Sequence, residues 1–303
     1  MVEKLTSGMV FSEAPVRVSE WRRFRRVFFE RKLVTFGLVL LLLMLIAAFF
    51  APLLAPYDPY ELGGAGESLL QPNGEHLLGT DLLGRDTLSR LIYGARTALM
   101  VGFISVFIAG FIGVPLGIIA GYFGGVINMV IMRAMDALMC FPMLLLALFL
   151  AAVLREYAIS GILVVIIALS VAIIPGYARV THGVTLSIKE NDYIMAQRAM
   201  GSSNIRVMFR HILPNAFPPL IVLVTMQLGA LILAEAGLSF LGIGIDPPGA
   251  AWGAMVWDGY KYLASNPALW LTPGIAIALV VFAFNVVGDG LRDALDPRLR
   301  GLL

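Results

Sequence analysis

Six apolar stretches constrain this chain more than any other feature, because each is long enough to cross a lipid bilayer. They lie at about residues 33–55, 96–121, 131–154, 159–178, 216–243 and 269–290. A hydrocarbon core of about 30 Å needs roughly 20 helical residues at a rise of about 1.5 Å each. Only 14% of the 303 residues are charged and 59% are hydrophobic, whereas a soluble domain carries about 25% charged residues. The expected fold class is therefore an all-α integral membrane protein with six transmembrane helices.

Basic residues orient the spans. Lys4, Arg17, Arg22, Arg23, Arg25, Arg26, Arg31 and Lys32 precede the first span, and Arg133, Arg179, Lys189, Arg198, Arg206, Arg210, Arg292, Arg298 and Arg300 fall in segments on the same side. The opposite side holds only Arg85, Arg90, Arg96, Arg155 and Lys261. By the positive-inside rule both termini are cytoplasmic. This divides the chain into a basic N-terminal segment 1–32, a first transmembrane helix 33–55, an extracytoplasmic loop 56–95, a transmembrane core 96–291 carrying a cytoplasmic loop 179–215, and a cytoplasmic tail 292–303. A leader of roughly 30 residues before an apolar core of roughly 20 exceeds signal-peptide dimensions, so an uncleaved anchor is expected. Trp21, Phe24 and Phe28 are spaced for one face of an interfacial helix, and a solvated basic tail is the competing reading.

Between the fourth and fifth spans lies a polar, basic insertion, Lys189–Asn215. Lys189–Met200 reads as a helix of good formers that Gly201 closes with a left-handed residue. Ser202 or Ser203 caps a second, amphipathic helix over Asn204–Leu213, in which Ile205, Met208, Phe209 and Ile212 form one apolar stripe flanked by Arg206 and Arg210. Pro214 is expected to end that helix, and Pro218 to sit in the first turn of the next span.

The order Ala196, Ala199, Gly201, Leu213, Pro214 resembles the cytoplasmic "EAA" loop of bacterial ABC importer permeases, and FRHILPN at Phe209–Asn215 is similar to its dipeptide and oligopeptide branch. The usual Glu-Ala-Ala opening reads Met195-Ala196-Gln197, and the missing carboxylate's role is assigned to no neighbour. His76–Leu99, Glu235–Gly253 and Gly288–Gly301 look like segments of the same branch, so the resemblance runs from about Trp21 to Gly301. It implies the type I importer permease fold and a multi-pass subunit of the inner membrane that forms half of a translocation path. The implied partners are a second homologous permease, two ATPase subunits or domains holding ATP and Mg, and an extracytoplasmic substrate-binding protein. Ala196, Ala199, Gly201, Ser202, Ser203, Ile205, Arg206, Met208, Phe209, Arg210, Leu213 and Pro214 are the expected ATPase-coupling residues, with Gly201 the hinge and Ile205, Met208 and Phe209 the apolar contacts. Burial of those apolar residues beneath the chain's own helices is the alternative. Peptides are the first expectation for substrate, with glutathione, nickel complexes and oligosaccharides within the family's range.

Gly113, Gly117, Gly121 and Gly125 recur every fourth residue along the second span and predict a close helix approach, either within the chain or between subunits; Pro115 is expected to kink the same helix. On the outer side Asp86 can cap a helix bearing Leu88, Leu91, Ile92 and Ala95, read as a short surface helix or as the entry turn of the second span. Trp252 and Trp257, in the outer loop Pro247–Tyr262, are expected to be interfacial anchors. Asp136 is expected to pair with Arg133, and Asp289 with Arg292, one turn away.

Glu235 is the candidate intramembrane polar site, since a mid-membrane carboxylate costs about 2.5 to 3.5 kcal/mol on insertion scales. It leaves open an ion-gradient-driven secondary transporter as the alternative function, although that class favours paired broken helices with buried ionisable groups. Enzyme signatures are missing. The chain has no GxxxxGK[ST] phosphate loop, and His76, His182 and His211 lack metal-ligand spacing. Cys140 is the single cysteine and lies within the third span, which leaves no intrachain disulfide. A net charge of +2, distributed by topology, gives no nucleic-acid footprint.

Overall fold

The computed structural model describes residues 20–64, 66–157 and 159–295. The basic residues Lys4, Arg17, Arg298 and Arg300 lie outside the described residues. The helices in chain order are α1 Glu20–Glu30, α2 Lys32–Phe49, α3 Ala51–Leu54, α4 Thr87–Phe123, α5 Gly125–Met139, α6 Met143–Arg155, α7 Gly161–Lys189, α8 Asp192–Ala199, α9 Asn204–Val207, α10 Leu213–Phe240, α11 Trp252–Tyr260 and α12 Ala268–Leu295, with a π turn at Met208–Ile212 between α9 and α10. Five of these segments are long and apolar enough to cross a membrane, and the bent pair α5–α6 is the sixth crossing when taken as one span.

The third span is not the straight helix expected over 131–154. α5 and α6 meet at 90°, because the residue before a proline is pushed out of the helical region and Pro142 follows Cys140 and Phe141 at the break. The second span begins earlier than expected. Asp86 caps it by accepting a hydrogen bond from the Ser89 backbone at 2.7 Å, and the helix runs unbroken to Phe123, so Leu88–Ala95 is its entry turn rather than a separate surface helix. At 37 residues it is about 55 Å long, which carries both ends beyond the hydrocarbon.

α4 and α7 form the axis of the fold, and the glycines explain why. A Cβ at Gly113 would lie 2.7 Å from the Ile174 carbonyl oxygen and 2.8 Å from Tyr177 Cβ, and one at Gly121 would lie 2.8 Å from Thr185 Cβ. Gly117 abuts Ala178 and Thr181 in the same seam. These contacts are within the chain. Gly125 does not share them: its φ is +52° and nothing lies within 4 Å of its Cβ position, so it belongs to the turn that opens α5. Around this axis Leu169, Val164, Val165, Val101, Leu231 and Leu238 are fully buried, while Phe107, Phe111 and Phe149 stand outward where lipid would cover them.

Outside the bilayer, loop 55–86 folds back over the segment 245–267. Arg90 donates to the carbonyls of Pro59 and Pro248 at 3.3 and 3.4 Å, Asp81 accepts from Arg85 Nε at 2.7 Å, and Asn266 reaches the Leu70 carbonyl at 3.3 Å. Trp252 is a structural member of this cap and not an interfacial anchor: it is 3% exposed and its indole donates to the Leu91 carbonyl at 2.9 Å. Trp257 is half-open and stacks on Tyr260. At the opposite end of the molecule α1 stacks Trp21, Phe24 and Phe28 in a row. Arg31 pairs with Asp293 at 3.0 Å, and among the described residues the expected ion pair of Asp289 with Arg292 does not form. Asp136 likewise pairs across helices, with Arg179 at 2.6 Å, and not with its near neighbour Arg133.

Candidate functional site

The insertion between the fourth and fifth spans is built from two short helices on either side of a tight turn. α7 continues to Lys189, and α8 closes through a Schellman arrangement: the Ser202 amide bonds the Gln197 carbonyl at 3.0 Å and the Gly201 amide bonds the Arg198 carbonyl at 2.9 Å. Gly201 supplies the left-handed residue this requires, at φ +80°. Ser203, rather than Ser202, caps the following helix, accepting from the Arg206 amide at 3.4 Å. Ser202 turns back and donates to Gln197 Oε1 at 3.0 Å.

Pro214 does not end the second helix. The segment Asn204–Phe240 forms one span-length unit, since the π turn shifts the hydrogen-bond register: the Leu213 amide reaches back to Met208, and Pro214 then occupies the start of α10, where a missing N–H is tolerated. Asn215 adds a side-chain donor to the His211 carbonyl at 2.6 Å. The short helix and the fifth span are therefore mechanically continuous.

The apolar stripe divides into two faces, and the π turn decides the side that Ile212 takes. Val207, Met208 and Ile212 turn inward, with 0%, 8% and 0% of their surface exposed. They form a small second core with Ile118 and Tyr122 of α4, Ile188 of α7 and Ile194 of α8, with Leu213 against it. Ile205 and Phe209 turn outward at 67% and 61% exposure. Met208 is thus not available as an outward contact. The extra residue in the π turn rotates Ile212 back toward the side of Val207 and Met208. Met195 and Met200, which the stripe did not include, are also exposed. Ala196, Ala199, Gly201, Arg206, Arg210 and Pro214 share the open surface, so a greasy patch is bordered by two arginines. Patches of this kind on a folded surface mark interaction sites.

Tyr122, which carries no helical-period signal of its own, joins this region to α4. Its hydroxyl donates to Asn204 Oδ1 at 2.8 Å, and the Arg198 guanidinium lies 4.6 Å from its ring centroid. Lys189 also donates to the Gly121 carbonyl at 3.2 Å. Far from this surface, Glu235 is 1% exposed within α10 and accepts a 2.7 Å hydrogen bond from Ser239, one turn away.

Comparison with known proteins agrees with this architecture. Residues 113–301 match the family model described as the binding-protein-dependent transport system inner membrane component, and residues 19–72 match the N-terminal TM domain of oligopeptide transport permease C. A dipeptide transport system permease protein of Alkalihalophilus pseudofirmus is 40% identical, over 93% of this chain and 91% of the relative. A glutathione transport system permease protein of Pectobacterium atrosepticum is 39% identical, over 92% of each. A putative peptide transport system permease protein of Brucella suis is 42% identical, over 95% and 94%. Among solved structures, the inward-facing MetNI methionine ABC transporter aligns with a TM-score of 0.57 at 23% identity, over 69% of this chain and 97% of the matched chain; at that identity the likeness speaks for the fold.

Proposed function

This chain belongs to the binding-protein-dependent transport system inner membrane components, and on that premise we propose that it forms half of the translocation path of an ATP-driven peptide importer and meets the ATPase through residues 189–215. It is a multi-pass permease subunit and not itself an enzyme. ATP and Mg are carried by ATPase partners, a second permease completes the path, and a substrate-binding protein delivers peptides from outside. Both termini and the loop face the cytoplasm, supported by the distribution of basic residues. The matched relatives are importer permeases rather than ion-gradient carriers, which removes the secondary-transporter alternative.

The observation that carries the coupling assignment is the outward pair Ile205 and Phe209, set on the short helix α9 and on the π turn that continues it into the fifth span. Closure of the ATPase dimer presses on this face. The push travels along α9, the π turn and α10, and changes which side of the membrane the path opens to. Arg206 and Arg210 form the polar rim that orients the contact. A mild-detergent pull-down with mass spectrometry tests the assembly: an ATPase and a second permease should be retained, and any co-purified binding protein should be screened against dipeptides, longer peptides and glutathione. Recovery of the intact chain with no ATPase partner refutes the proposal.

A further inference from the structure

The cytoplasmic insertion is attached to more than the fifth span. We propose that Tyr122 is a positioning residue that straps both arms of the Gly201 turn to the inner end of α4, so that movement of the loop also drives the second span. This inference rests on the reading of 189–215 as the ATPase-facing loop.

Three observations place the strap. Tyr122 is 6% exposed at the last turn of α4 and its ring is part of the small core under the loop. The hydroxyl holds Asn204, the first residue of the helix after Gly201, at 2.8 Å. The face of the ring holds Arg198, in the last turn of the helix before Gly201, at 4.6 Å. One side chain therefore spans a turn whose glycine has φ +80° and no atom within 4 Å of its Cβ position. Besides the strap, the two arms are joined by that turn, the apolar core, and the contacts of Tyr193 with His211 and Asn215.

The far end of the same helix gives the strap a consequence. α4 is continuous from Thr87 to Phe123. At its outer end Arg90 grips the carbonyls of Pro59 and Pro248, and Leu91 accepts the Trp252 indole. A rod fixed to the outer loops and to the cytoplasmic loop conveys the arrival of a loaded binding protein to the ATPase side. The strap is thus needed for stimulated hydrolysis more than for holding the ATPase.

The test uses the assembled transporter in nanodiscs, with the binding protein recovered in the pull-down and loaded with its peptide. Tyr122→Phe removes only the hydroxyl and should lower stimulation about threefold, the effect of one net hydrogen bond. Tyr122→Leu removes the ring contact as well and should lower it about tenfold, with the ATPase still bound. Asn204→Ala should match Tyr122→Phe, the two together should be no worse than either, and Asn204→Asp, which keeps an acceptor, should restore stimulation. If Tyr122→Leu fails to insert, the Phe and Ala cycle decides: additive effects refute the strap. Full stimulation in Tyr122→Leu refutes it too, provided Phe209→Asp is defective in parallel; if Phe209→Asp also behaves as wild type, the assignment of the loop itself is what has failed.

Discussion

Truncating Phe209 and Met208 separately gives opposite outcomes if the π turn divides the loop's apolar residues as described. Phe209 is 61% exposed, so of roughly 200 Å² on an aromatic side chain about 120 Å² is open, and covering it is worth about 3 kcal/mol at roughly 25 cal/mol per Å². Binding surfaces concentrate their energy in such anchors, with truncations of about 2 kcal/mol or more. Phe209→Ala should therefore weaken ATPase binding by a factor between about 30 and about 150 while leaving the permease's own melting temperature unchanged. Met208 is 8% exposed inside the core with Tyr122, Ile194 and Ile212. Its truncation should cost about 2 to 5 kcal/mol of local packing, seen as faster amide exchange in α8 and α9. The assay titrates purified ATPase against each nanodisc-reconstituted variant and follows binding by interferometry, with hydrogen exchange on the same samples. Wild-type affinity in Phe209→Ala, together with release of the ATPase by a normally protected Met208→Ala, would show that the faces are assigned the wrong way round.

Gly201→Val should reduce transport through backbone strain alone, about 1 to 2 kcal/mol, since its Cβ meets nothing within 4 Å; Gly201→Asn should retain most activity, and equal uptake rates for the two would contradict this. Gly113→Leu should force α4 from α7, costing about 1 to 3 kcal/mol or more, and lower the melting temperature, whereas Gly125→Ala, outside the seam, should leave the α4–α7 contact intact by cysteine cross-linking. In a Cys140→Ala background, an impermeant thiol reagent on intact cells should label Glu61→Cys and spare Met200→Cys; labelling at Met200 reverses the topology. Glu235→Gln keeps an acceptor for Ser239, so uptake should stay ATP-driven with an unaltered pH profile, and dependence on a proton gradient would reopen a proton-carrying role.

The apolar runs, the side on which arginines gather, the glycine seam and the breaker chemistry at Gly201 were all legible along the chain, because each is set by neighbours within a turn or two. The loop's inward and outward faces were not. Ile205, Met208, Phe209 and Ile212 fall within one broad stripe at a constant helical period, and the π turn that carries Ile212 to the inner side also lets α9 continue into α10 past Pro214. The break in the third span had a visible sign in Pro142, but its 90° angle depends on the helices that receive α6. Tyr122, Trp252 and the Arg179–Asp136 pair gave no local signal, since their partners lie 82, 161 and 43 residues away.

What the sequence by itself determined is therefore the membrane class, the succession of apolar spans, and the presence of a loop on the arginine-rich side. Bilayer thickness and the hydration of charge act on each segment separately. The tertiary structure alone decided which loop residues are exposed and which helices the loop touches. Those depend on side-chain contacts closed by packing between distant segments, and hydropathy and short-range spacing carry no record of them.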